Sequence, residues 1–210
     1  MKKTVIGFVV SAFIIAFSSI VDAQTTVSIG PRLTGNLNIY NQQGLTGTWN
    51  GLGIGVGGNV DVSFSQYIGL MVNLTAFDMK SFSNSQTAGQ VTTKRSLSLS
   101  YFTFDPLFKF EISGFYMVGG PSLGIKLASS GEVVQTQAGA APNTQPLSLD
   151  TKTLRFDFAA GTGYSFRLSP NMSLGTDFLV YIPITDTYNF PGLSNSVLSL
   201  KLGTSLKFRL

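Results

Sequence analysis

Cysteine and histidine are both missing from this 210-residue chain, and charged residues make up only 11% of it. Without cysteine there is no disulfide framework, no thiolate metal site and no attachment point for an N-terminal lipid anchor. Without histidine, neither a Ser-His-Asp hydrolase nor a histidine-based acyltransferase can be built. An average soluble domain carries roughly 25% charged residues, so this chain has too few charges to cover an ordinary aqueous surface. A long apolar run is missing too: nothing after Ala23 reaches the roughly 20 residues that a membrane-spanning helix needs. The length suits one domain of barrel size, and no linker divides it.

What is present begins with an export signal. Lys2 and Lys3 give the positive start, Val5 to Phe17 the apolar run, and Val21-Asp22-Ala23 the small-residue cleavage site before Gln24. The expected division is a signal peptide at 1–23 and an outer-membrane β-barrel domain at 24–210. Backbone N–H and C=O groups cannot go unpaired in lipid, so an exported apolar chain without a spanning helix has one good membrane solution, a closed β-barrel.

Period-two alternation supports that solution. In "LRFDFAAGTGYSFRL", at 154–168, Leu154, Phe156, Phe158, Tyr164, Phe166 and Leu168 share one side, while Arg155, Asp157, Ala159, Gly161, Gly163, Ser165 and Arg167 share the other. A soluble strand normally carries long solvated residues on its polar side. Here that side is both small and charged, as expected of a narrow barrel interior where Gly, Ser and Ala make room for a few ions. The same alternation recurs at 27–39, 52–64, 68–76, 115–127, 172–182 and 198–210. The segment "SLSLSYFTFDPLFKF" at 96–110 is irregular: Leu97, Leu99 and Tyr101 lie on one parity and Phe102, Phe104, Phe108 and Phe110 on the other. A β-bulge between Tyr101 and Pro106 is the expected cause. The expected fold is therefore all-β, an eight-stranded antiparallel up-and-down transmembrane β-barrel. Short turns near 65–66, 111–114 and 169–171 alternate with long polar segments at 40–51, 79–95, 128–152 and 184–195. This places both chain ends in the periplasm and the long loops outside.

The centre of the chain, "YFTFDPLFKF" at 101–110 followed by "GFYMVGGPSLGIKL" at 114–127, resembles the paired signature of PorT-like small outer-membrane β-barrel proteins. "DFAAGTGYSF" at 157–166 is similar to the next strand of that family. Asp105 departs from the usual Tyr-to-Pro spacing, and the chain ends on Leu210 rather than an aromatic residue. The resemblance implies an outer-membrane location and a barrel fold, and it raises a role in an export or assembly machine. It implies no reaction.

Parity points Arg32, Asp61, Lys126, Arg155, Asp157, Arg167, Asp177, Lys201, Lys207 and Arg209 into the lumen. Asp157 and Asp177, on consecutive strands, could form a catalytic carboxylate pair, but with basic neighbours a structural salt-bridge network is the expected outcome, and no enzyme is expected. Arg32 should pair with Asp61 across the first hairpin, leaving the other cations at the periplasmic end in excess. "GLGIGVGG" at 51–58 alternates like a strand and has no helix after it, so a phosphate loop is not expected. Asp150 and Asp186 lack the ligand cluster of a calcium site. No cofactor is expected. Tyr40, Phe64, Tyr67, Tyr101, Tyr164 and Tyr181 are candidates for interfacial girdles, and Trp49, in the first long loop, for either a recognition anchor or packing within that loop. Without Lys2, Lys3 and Asp22 the chain has 12 basic and 9 acidic residues, net +3, and seven of the bases point inward, so nucleic acid is not an expected partner. The expected partners are outer-membrane lipid and an envelope protein, around a monomer. The leading function is a structural or interaction scaffold. The alternatives are a small anion-preferring channel and an accessory component of an outer-membrane secretion or assembly machine.

Overall fold

The computed structural model describes residues 25–42, 49–137, 139–147, 150–189 and 194–210. The expected signal segment lies outside them. Among the described residues nine strands follow one another: β1 (Thr26–Gln42), β2 (Trp49–Ser63), β3 (Ile68–Ala88), β4 (Val91–Ile112), β5 (Phe115–Gln137), β6 (Asn143–Pro146), β7 (Leu154–Ser169), β8 (Met172–Pro183) and β9 (Asn195–Arg209). All pairings are antiparallel. The pairing of β9 with β1 and of β4 with β5 closes eight of them into a ring, with four-residue β6 added to the upper part of β5. Closure removes every free sheet edge along the ring, as a chain facing lipid requires.

Each turn at the near end, where β1 begins and β9 finishes, is short. Between β4 and β5 the chain reverses through Ser113 and Gly114, both with positive φ, the two-residue turn whose twist matches that of the flanking strands. The far end is more extended. The segments 79–95 and 128–152, read from sequence as long loops, are largely strand. β3 and β4 stay paired from Ile68↔Phe110 up to Ala88↔Val91, turning at Gly89-Gln90, and β5 stays beside β4 up to Gln137. Polarity misled the loop reading, because above the apolar belt a strand faces water and carries Ser, Thr and Gln.

Outward positions form that belt. Ile29, Leu33 and Leu37 on β1, Leu52, Ile54 and Val56 on β2, and Phe102, Phe104, Phe108 and Phe110 on β4 are all exposed, as are Phe156, Phe158 and Phe166 on β7. So many exposed large apolar side chains, spread around the wall, are incompatible with water as the surrounding medium.

The bulge expected within β4 is not there. Leu97, Leu99, Tyr101, Thr103, Asp105, Leu107 and Lys109 all point inward on one unbroken parity. The extra residues lie on the neighbours: β3 shifts register between Thr75 and Asp78, and β5 between Lys126 and Ala128. Across the β3 shift the inward parity changes from Met71, Asn73 and Thr75 to Asp78, Lys80 and Phe82. What changes along β4 is the lumen itself, which becomes apolar at its far end.

Candidate functional site in the lumen

From the near end upward, the lumen is filled in layers. At the near mouth Asp61 accepts from Lys109 Nζ at 2.5 Å and from Lys207 Nζ at 2.7 Å, and Lys109 also reaches Glu111 at 2.8 Å. Both ammonium groups lie over the Tyr116 ring, 5.9 and 5.5 Å from its centroid. The next layer holds the Arg32 guanidinium, which donates two 2.6 Å bonds to the Asp177 carboxylate. That bridge passes over Gly203, where a Cβ would overlap the guanidinium and lie 2.5 Å from Asp177 Oδ1. Met71, Leu107, Tyr116, Val118, Ala159, Leu179 and Tyr181 form one buried apolar cluster in the lumen.

Above, Asp105 accepts from Ser122 Oγ at 2.5 Å and Tyr181 Oη at 2.8 Å. Asp78 accepts from Asn36 Nδ2 at 2.7 Å and Lys201 Nζ at 2.9 Å, with Lys80 Nζ at 3.3 Å. Lys80 also donates to Ser199 Oγ at 2.9 Å, and Lys201 lies 4.3 Å from the Tyr181 centroid. Arg155 Nε contacts both oxygens of Asp157 at 2.8 Å, and its Nη2 donates to the Val197 carbonyl at 2.6 Å. The far end is closed by Tyr40, Trp49, Phe82, Leu97, Leu99, Tyr101, Tyr188 and Val197. There Tyr40 stacks on Phe82 at 5.1 Å, with Tyr188 and Trp49 meeting it edge-on at 5.6 and 6.1 Å.

Several sequence expectations change. Arg32 pairs with Asp177 across β9 rather than with Asp61, because Asp61 stands opposite Ser28 in the first hairpin, whereas Asp177 and Thr34 stand on either side of Gly203. Asp61 instead serves Lys109 and Lys207. Asp157 and Asp177 are not a carboxylate pair: each is held by its own arginine. Lys126 is half-buried at the far rim, donating to Thr151 O and Oγ1 at 2.8 and 2.6 Å. Arg167 and Arg209 are exposed at the near mouth. Trp49 opens β2 instead of lying in a loop and is 6% exposed, inside the far-end plug. Tyr40, Tyr101 and Tyr181 point into the lumen and form no girdle. Tyr67 and Tyr164 do face outward at the near end, beside Phe110 and Phe166.

Five charged residues of the network escaped the sequence reading: Asp78, Lys80, Asp105, Lys109 and Glu111. Asp78 lay past the end of the presumed third strand and Lys80 in the presumed loop after it, while Asp105 lay within the presumed bulge and Lys109 and Glu111 followed it. Continuing the parity of Tyr101 straight through Pro106 would have found Asp105, Lys109 and Glu111. Outside the barrel wall, the Asp186 carboxyl is held below its ordinary range, first by the Asn195 backbone N–H at 3.0 Å and then by Lys152. Asp150 accepts instead from Asn189 Nδ2 at 2.9 Å. Among the described residues no group of three acidic side chains is placed to hold a metal ion.

No family model matches the chain, and no curated protein matches it. Solved structures do. The outer membrane protein OprG from Pseudomonas aeruginosa is 11% identical, over 90% of this chain and 96% of that one, with a TM-score of 0.44. Acinetobacter baumannii CarO2 is 12% identical over 88% and 99%, with a TM-score of 0.42. The attachment invasion locus protein Ail of Yersinia pestis is 12% identical over 87% and 99%, also at 0.42.

Proposed function

We propose that the chain is exported by its first 23 residues and lodges in the outer membrane as a sealed barrel, a scaffold whose far-end strands and loops meet other molecules. The observation that carries this reading is the inversion of an ordinary core: large apolar side chains outside, and a lumen filled by ion pairs below an aromatic plug. An eight-stranded interior is just wide enough for side chains to fill it. A filled lumen favours a scaffold over a channel.

The far end offers the means of interaction. Beyond Ser83, where β2 stops pairing, β3, β4 and β5 continue as a sheet of Ser, Thr, Gln and a few charges, extended by β6. Membership of the PorT-like family is part of this proposal. It rests on the motifs at 101–110 and 114–127, which lie side by side as β4 and β5, with Phe104 opposite Leu123 and Phe108 opposite Gly119.

Fractionation tests the placement. The protein should sediment with outer membranes and migrate faster on gels before boiling than after. Recovery as a soluble periplasmic monomer without detergent would contradict it.

A further inference from the structure

The near mouth of the lumen is a cup of about 590 Å³. Its walls are the near ends of β1, β2, β4, β7, β8 and β9 with the turns at 113–114 and 170–171, and its floor is the Lys109–Asp61–Lys207 cluster resting on Tyr116. Six charged side chains line it: Lys109, Lys207, Arg167 and Arg209 against Asp61 and Glu111. Both carboxylates are already taken up by the two floor lysines. That leaves the two arginines. Arg167 has no ion-pair or hydrogen-bond partner among the described residues, and Arg209 uses only Nη2, donating to Thr26 Oγ1 at 3.0 Å.

Hydroxyl groups fill the space between these cations. Ser28, Ser63, Ser165 and Ser173 line the cup from four different strands. A hydroxyl can turn its hydrogen toward an acceptor, and a guanidinium presents a planar fork of donors that matches an oxyanion. The cup therefore offers a surplus of donors and a net positive lining, in a concavity of ordinary ligand-site size. A cation would meet a lining with four basic and two acidic side chains, the two acids already bonded to the lysines.

We propose that this near-mouth cup is a binding site for a small oxyanion bearing two or more negative charges, a polycarboxylate or a phosphate ester, held by Arg167 and Arg209 with the serine hydroxyls beneath. The closed floor makes it a receptor pocket rather than the vestibule of a pore. Nothing in this assignment depends on what the far end meets.

Calorimetric titration of the detergent-extracted protein tests it, with citrate as the polycarboxylate probe, pyrophosphate as the phosphate probe and spermidine as a cationic control. Saturable heat with either anion and none with spermidine is expected, and the anion that binds identifies the chemical source. Arg167→Gln combined with Arg209→Gln should weaken binding at least about tenfold, since two charge-assisted hydrogen-bonding groups are lost. Arg167→Lys, which keeps the charge but not the fork, should weaken it less. Both positions are exposed, and unchanged heat-modifiable migration reports that the barrel is intact. Absence of saturable binding by both anions, equal binding of spermidine, or an unaltered affinity in the double glutamine variant would each overturn the assignment.

Discussion

Replacing Asp177 by Asn would leave the Arg32 guanidinium, 3% exposed, facing a neutral amide in place of the carboxylate that now accepts two 2.6 Å bonds. Breaking a buried ion pair by removing one partner costs about 3–5 kcal/mol, because the remaining charge is left desolvated and uncompensated. Replacing both partners by apolar groups of similar volume is often neutral or stabilising. Asp177→Asn should therefore be severely destabilised, whereas Arg32→Met with Asp177→Leu should recover most of the loss. Urea titration of the protein refolded into lipid vesicles can follow this through Trp49, the single tryptophan, which sits in the far-end plug. With a slope of about 2 kcal/mol per molar urea, the Asp177→Asn midpoint should fall by about 2 M. If Asp177→Asn stays within about 0.5 kcal/mol of the parent protein, or if the double variant is no more stable than the single one, water reaches Arg32 and the lumen is not the dry, filled core described above.

Gly203→Val should cost as much as losing the ion pair itself, because its side chain occupies the space of the guanidinium and carboxylate; vesicle refolding yield and the same urea titration report it. Trp49 emission should be blue-shifted and resist acrylamide quenching, and Tyr40→Ala with Phe82→Ala should shift it to the red. The Asp186 carboxyl, lowered in the folded protein, contributes stability that is fully present above the unfolded carboxylate pKa of about 4 and is lost as pH falls through its lower folded value. The protection of the Asn195 amide against exchange, taken relative to its intrinsic rate at each pH, should accordingly fall on acidification in the parent protein and lose that dependence in Asp186→Asn.

Where one face meets lipid and the other a narrow lumen, the sequence carries a two-residue signal, and β1, β2, β7, β8 and β9 could be read from it directly. It weakens where both faces change character along one strand. On β4 the inward side passes from Leu97 and Leu99 to Asp105 and Lys109, while the outward side passes from Ser96 and Ser98 to Phe102 and Phe104. Alternation then mimics a parity flip that never happens. On β3 the flip is real, but Ala76 and Phe77, both outward around the register shift, are followed by polar residues that look like loop. Ion-pair partners were less legible still. Arg32 and Asp177 are 145 residues apart and meet only because β9 closes the ring against β1 and carries a glycine under the bridge. No local spacing encodes that meeting.

Conductance across a planar lipid bilayer tests the sealed barrel most directly. Protein inserted as a heat-modifiable monomer should carry no steady current under an applied voltage, because the Tyr40–Phe82–Tyr188 plug and the ion-paired layers beneath it leave no continuous water path. Any rare residual openings should favour anions, given the cationic near mouth. A steady current through the parent protein, above all a cation-selective one, would contradict the account.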